Sequence, residues 1–210
     1  MKKLESSLTN MVLVLTGVAI IMGGILAFVN HMTSGPIEQQ KQLALESGIK
    51  SVMQAKNLQV TSTDTIVMQD NKGKDMTFIV YNNEKGAAVE SSTMGFGGAL
   101  KVLVGFDNDG NILGYTLLEH AETPGLGAKA DQWFQKGQKG DIIGKNPGQK
   151  PLGVTKGGEG DVDAITASTI TSRAFLQAVN NAYNAYKGNA TDAASEATPQ
   201  NNETEEEQEL

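Results

Sequence analysis

The run from Met11 to Val29 holds no charged residue and, apart from Thr16, no side chain that can hydrogen-bond. Nothing else in the chain restricts its fold as strongly. A helix needs about 20 such residues to cross the hydrocarbon of a bilayer. The sequence therefore predicts a transmembrane helix over residues 11–29 behind a short N-terminus, residues 1–10. A cleavable signal peptide is the rival reading, but the run is long for one and no clear Ala-x-Ala site follows it. Lys2 and Lys3 precede the run. Basic residues are retained on the cytoplasmic side, which places the N-terminus in the cytoplasm and the rest of the chain outside the cytoplasmic (inner) membrane.

Beyond the run, Ser34-Gly35-Pro36 reads as a break, and Pro36 suits the first turn of a second helix over about 37–55, with Leu43, Leu45, Ile49 and Val52 among its apolar residues. The period then shifts toward two. Residues 65–68, 77–81 and 87–91 read as strands separated by turn-rich segments at 70–73 and 82–86. Residues 100–106 and 111–118 flank Asp107-Asn-Asp-Gly110, a strong hairpin signal. A short helix is expected at 129–135, carrying Trp133 and Phe134, and the Gly/Lys-rich stretch 138–160 reads as an exposed loop system. The expected fold class is α+β: a membrane helix followed by one extracytoplasmic domain, residues 30–187, with an antiparallel sheet and flanking helices. The Ala/Ser/Thr/Asn/Glu stretch 188–210 cannot form a core and is expected to be a disordered acidic tail.

Composition removes several function classes. The formal charge is -7, and the seven acids after Lys187 account for all of it, so residues 1–187 are neutral. Nucleic-acid binding has no support in such a balance. There is no cysteine, which excludes disulfides, thiolate zinc sites and ordinary iron–sulfur ligation. His31 and His120 are the two histidines and lie far apart in sequence, so no metal site is expected. Asp107-Asn-Asp-Gly110 lacks the sixth-position glycine and twelfth-position glutamate of a calcium loop. Gly95-Phe-Gly-Gly98 has Leu100 where a dinucleotide fingerprint needs its third glycine. Redox chemistry in this chain would have to come from an organic cofactor.

The stretch Asp163-Ala-Ile-Thr-Ala-Ser-Thr-Ile-Thr-Ser-Arg-Ala-Phe175 sets hydroxyls at Thr166, Ser168, Thr169, Thr171 and Ser172 at the start of a helix. The helix reads on through Ile170, Ala174, Phe175, Val179, Ala182 and Tyr186, an apolar face at helical spacing. A helix N-terminus offers free backbone N–H groups and a positive dipole end, which attract phosphate. The plainer reading makes Thr166 or Ser168 an N-cap and leaves the other hydroxyls to solvent.

Two further stretches change that balance. Asp163-Ala-Ile-Thr-Ala-Ser-Thr169 resembles the Asp-x-x-Ser/Thr-Gly-Ala-Thr motif of the FMN-binding domain family, with Ala167 in place of the usual Gly and Ser168 in place of Ala. His120-Ala-Glu-Thr-Pro-Gly-Leu-Gly127 resembles that family's His-x-Glu-Thr-Pro-Gly-Leu-Gly loop, and Gly95-Phe-Gly-Gly98 its Gly-Tyr/Phe-Gly-Gly turn. The resemblance covers approximately residues 8–187 and keeps the motifs in the family's order. Within the family the layout is most similar to the G subunits of Rnf electron-transport complexes, with the C subunits of sodium-pumping NADH:quinone reductases as near relatives.

The resemblance implies an electron relay in a multi-subunit, ion-translocating ferredoxin:NAD oxidoreductase, with other membrane subunits as partners. It implies one FMN per chain, joined by a phosphoester to Thr169 by a separate flavin transferase. Ser168 and Thr166 would stand beside the linkage, and Arg173, one helical turn on, would lean back toward the phosphate. Gly97 and Gly98 would allow close approach of backbone to the flavin. Glu122, Thr123 and Leu126 would shape the pocket for its ring. A non-redox, membrane-tethered binding module remains the alternative from a different class.

Overall fold

The computed structural model describes residues 8–55, 58–69, 75–155 and 161–196, with side chains described as far as 188. The chain falls into two compact units, residues 1–45 and 46–210.

The first unit is helical. Helix α1, Leu8–Val52, runs without interruption for 45 residues and carries Pro36 inside it. The expected break at Ser34-Gly35-Pro36 is therefore absent. Proline removes one backbone donor and crowds the preceding turn, which usually bends or ends a helix. Here the hydroxyls just before it turn back on the helix: Thr33 Oγ1 donates to the Val29 carbonyl at 2.9 Å, and Ser34 Oγ to the His31 carbonyl at 3.1 Å. The carbonyl that Pro36 leaves without its helical donor is that of Met32, and neither of these bonds goes to it. Between Leu8 and Met32 the large apolar side chains are all exposed, and the helix is long and apolar enough to cross a membrane.

α1 ends inside the second unit. Gln54 takes a left-handed φ of 50°, the Ala55 N–H bonds the Lys50 carbonyl at 3.1 Å, and the Gln54 N–H bonds that of Ser51 at 3.1 Å. This is a Schellman closure, which satisfies carbonyls the helix would otherwise leave open. The side chain of Gln54 then donates to the Leu113 carbonyl at 2.6 Å and ties the helix end to the sheet.

Five antiparallel strands follow as a simple meander, β1 (Ser62–Gln69), β2 (Asp75–Asn83), β3 (Gly86–Met94), β4 (Ala99–Asp107) and β5 (Ile112–His120). Every expected strand is present and each is longer than its apolar alternation, because pairing carries the strands to the turns. The Asp107–Gly110 turn joins β4 to β5 as its residues dictate. Asp107 accepts from the Asn111 N–H at 2.8 Å, and Gly110 takes φ 89°. Sheet faces alternate by period two. One face, through Phe78, Val80, Ala87, Val89, Val102, Val104 and Phe106, joins the main core with the C-terminal helix. The other receives the end of α1, where Gly48 lies against Leu103 and Thr116.

The expected short helix after β5 resolves into a 3-10 turn, Gly127–Lys129, and the four-residue α2, Ala130–Trp133. Tyr115 holds this segment down: its hydroxyl donates to the Ala130 carbonyl at 2.7 Å and accepts from the Phe134 N–H at 3.2 Å. Burial is the main reason its phenol is held above its ordinary pKa.

Helix α3 spans Thr169–Glu196, well past the tail boundary expected at Gly188; residues 197–210 of that tail lie outside the described residues. Its buried stripe is Thr171, Ala174, Phe175, Ala178, Val179, Ala182 and Ala185. Ile170, expected on this stripe, is 57% exposed. It sits one residue, about 100° of helical turn, away from Thr171. Phe175 stacks on Phe134 at 4.3 Å between centroids and meets Tyr115 edge-on at 4.8 Å.

The Gly/Lys-rich stretch is not simply an exposed loop. Ile142, Leu152 and Val154 are buried in the same core as the α3 side chains, so the segment covers part of it.

Candidate functional site

The three family-like motifs, far apart in sequence, converge at one corner of the second unit. Strand β3 delivers the 95–98 turn, β5 delivers the loop from His120, and the 161–168 segment delivers the start of α3. Together they line a cavity of about 440 Å³ through Phe96, Glu122, Thr123, Leu126, Gly127 and residues 167–171. That size falls within the roughly 300–1,000 Å³ of small-molecule and cofactor sites.

The loop at 120–127 folds by its own turn chemistry. The Leu126 N–H donates to the Thr123 carbonyl at 3.2 Å and Gly125 takes φ 77°, so Thr-Pro-Gly-Leu forms a turn with proline and glycine in their preferred places. The Ala128 N–H donates to the same carbonyl at 3.2 Å, which hands the turn on to the 3-10 segment. The 95–98 turn closes through the Gly95 N–H and the Gly98 carbonyl at 2.8 Å. A Cβ on Gly97 would run into the Ala121 carbonyl oxygen. This glycine therefore serves the packing of two loops on each other, and neither Gly97 nor Gly98 is part of the cavity wall.

One side chain joins all three walls. The Glu122 carboxylate is 6% exposed. Its Oε1 accepts from the Phe96 N–H at 2.8 Å and the Gly97 N–H at 3.2 Å, and its Oε2 accepts from the Thr171 hydroxyl at 2.7 Å. Cβ atoms on Gly95 or Gly127 would collide with these oxygens.

The five hydroxyls of the Thr-rich stretch have separate tasks. Thr171 is spent on Glu122. Ser172 accepts from the Ile165 N–H at 2.9 Å and donates to the Ser168 carbonyl at 3.0 Å, stapling the approach segment to the first turn of α3. Ser168 is buried just before the helix and lines the cavity. Thr166 is exposed and outside the lining. Thr169, the first residue of α3, is half-buried in the cavity wall, and its hydroxyl makes no hydrogen bond among the described residues. Ala167 has φ 62°, a left-handed conformation that glycine adopts freely and alanine resists.

Of the residues expected from sequence, Thr169, Ser168, Glu122, Thr123 and Leu126 meet at the cavity. Arg173 is exposed and lies outside its lining. Sequence reading expected the loops at 95–98 and 120–127 at the pocket but did not single out Phe96 or Gly127 within them, and it missed Ala167, Ile170 and Thr171 as cavity residues. Phe96 and Ile170 are 70% and 57% exposed, and with Leu126 they give the mouth an apolar rim. Phe96 stood inside a recognised motif, whereas the helical spacing of Ile170 pointed to the core.

The arrangement can hold a flat, largely apolar ligand that ends in an anion. Rim side chains offer surface to a ring, and the open N–H groups of the first turn of α3 offer donors to a phosphate. FMN has both parts, so the residues present fit it.

Comparison with known proteins bears on the same corner. Residues 95–184 match the model of the FMN-binding domain, and residues 1–52 match that of the RnfG N-terminal region. The G subunit of the ion-translocating oxidoreductase complex of Yersinia pestis is 34% identical over 171 residues, covering 76% of this chain and 80% of its own. The G subunit of the Na(+)-translocating ferredoxin:NAD(+) oxidoreductase complex of Acetobacterium woodii is 29% identical over 194 residues, covering 83% of this chain and 89% of its own. Among solved structures, the C subunit of the Na(+)-translocating NADH-quinone reductase from Parabacteroides distasonis is similar at 20% identity with a TM-score of 0.39, over 66% of this chain and 81% of that one.

Proposed function

The chain belongs to the G-subunit family of ion-translocating oxidoreductase complexes, and from that premise we propose that it is a membrane-anchored electron relay carrying FMN on Thr169. The observation that carries this reading is Thr169 in the wall of a cavity at the first residue of a helix, its hydroxyl without a hydrogen bond among the described residues. When bound, FMN supplies the electron-transfer chemistry that no side chain in this cysteine-free protein can.

The chain's own residues supply attachment, orientation and shielding. Thr169 would hold FMN through its hydroxyl oxygen, and a separate flavin transferase would make the phosphoester with FAD as donor and AMP as leaving group. The open N–H groups and the positive end of the helix dipole at the first turn of α3 would hold the FMN phosphate. Ser168 is the neighbour of Thr169 in the wall, and the exposed Arg173 would add positive potential one turn along. Phe96, Leu126 and Ile170 would give the flavin ring apolar surface at the mouth. The exposed apolar side chains of α1 before Met32 lie in the lipid, with the N-terminus in the cytoplasm, the domain on the outer side, and the other subunits of an Rnf-type complex as redox partners.

Co-expression with a flavin transferase, followed by denaturing gel fluorescence and intact mass, tests the reading. The wild-type chain should gain the mass of FMN less water and fluoresce in the gel. Thr169→Ala should lose at least ten-fold of that signal, and Ser168→Ala should keep most of it. Full covalent loading of the Thr169→Ala chain sinks the assignment.

A further inference from the structure

Three walls of the cavity come from three separate parts of the chain, and a single carboxylate ties them. We infer that Glu122 is a positioning residue that locks these walls in register and sets the charge felt by the cofactor beside it. This rests on the FMN reading of the site.

Two features separate Glu122 from an ordinary buried acid. Its three donors are all neutral: two backbone N–H groups from the 95–98 turn and the hydroxyl of Thr171, two residues beyond Thr169. Hydrogen bonds to an ionised acceptor are roughly twice as strong as neutral pairs. The chain has also forgone side chains at Gly95 and Gly127, where a Cβ would strike the carboxylate oxygens. The turn that carries Phe96 is thereby fixed relative to the helix that carries Thr169. Both residues face the same cavity, so the tie sets the separation between the ring's apolar support and its point of attachment. A carboxylate has about four acceptor positions, and three are used here. The consequence for redox poise follows from sign. Reduction adds negative charge to the cofactor, and a fixed negative charge in the cavity wall opposes it, so removing that charge should make reduction easier.

The test uses the full-length chain in detergent or nanodiscs, both unloaded and loaded with flavin. In the unloaded chain, amide hydrogen exchange is read at Phe96 and Gly97. Glu122→Ala should speed exchange at both by ten-fold or more. Glu122→Gln keeps a carbonyl acceptor and should speed it less. Thr171→Ser retains the hydroxyl and should match wild type. In the loaded chain, Glu122→Gln should shift the flavin midpoint potential upward, and Thr171→Ser should leave it in place. Wild-type exchange rates in Glu122→Ala, or an unshifted or lowered midpoint in a folded, loaded Glu122→Gln chain, overturn the inference. If Glu122→Ala does not fold, Glu122→Gln and Thr171→Ser decide it. A wild-type chain that takes up no covalent flavin would defeat the FMN reading instead, while the exchange measurements would still judge the tie.

Discussion

Two pairs of glycines in this domain clear space for different kinds of neighbour. Under the end of α1, Gly105 and Gly114 face each other across β4 and β5, and Cβ atoms there would stand 2.5 and 2.9 Å from the Val52 carbonyl oxygen. At the cavity, Gly95 and Gly127 flank the Glu122 carboxylate. The first pair lets one backbone lie on another, and neither backbone can move without disturbing a helix end or a sheet. The second pair admits the tip of a side chain, which can swing away if it gives up hydrogen bonds. The fold should therefore depend on the first pair and the site on the second.

Gly105→Ala should produce the largest effect on stability. Forcing a methyl group into a packed backbone contact costs about 1–3 kcal/mol. For a domain of this size that corresponds to a fall in Tm of roughly 2–12 °C. The protein that remains folded should load flavin normally. Gly95→Ala should divide the other way. Its methyl group displaces Oε1 of Glu122, so covalent loading and amide protection at Phe96 should drop several-fold, with a Tm loss smaller than that of Gly105→Ala. Thermal melts and gel fluorescence on the two variants side by side would break the comparison if the larger Tm loss came from Gly95→Ala.

The same contrast marks what could be read from the sequence. The five strands were legible because alternation and turn residues agree along β1 to β5, and the Asp107–Gly110 hairpin announced itself by residue type alone. The cavity's walls were legible where the sequence resembles the family's motifs, at His120–Gly127 and Asp163–Thr169. Four features were not. Pro36 reads as a stop, but a proline's cost is local, one lost hydrogen bond and one crowded turn, and the long helix continues through it. Ile142, Leu152 and Val154 lie in a Gly/Lys-rich stretch with no sustained period, so nothing marked them as core. Ile170 follows the helical spacing of its neighbours yet faces the cavity, because the buried stripe of α3 begins at Thr171. Gly105 and Gly114 were invisible as a pair, since cross-strand register alone brings them together.

Ala167 gives the smallest effect and adds a third use of glycine to the comparison. Here the requirement is neither a neighbouring backbone nor a neighbouring side chain but a torsion angle, φ 62°. Holding alanine in the left-handed region costs about 1–2 kcal/mol. Glycine removes that strain but gives the unfolded chain more freedom, an opposing effect of about 0.4–1 kcal/mol. The difference favours Ala167→Gly by up to about 1.6 kcal/mol, a rise in Tm of up to roughly 6 °C. Ala167→Val should move the other way, because a β-branched residue resists positive φ more strongly than alanine. Residue 167 immediately precedes Ser168 and Thr169, so flavin loading by the glycine variant should at least equal that of wild type. A fall in Tm for Ala167→Gly, together with an unchanged Tm for Ala167→Val, would mean that the segment before Thr169 does not hold the left-handed turn, and that glycine has only the two space-clearing uses in this domain.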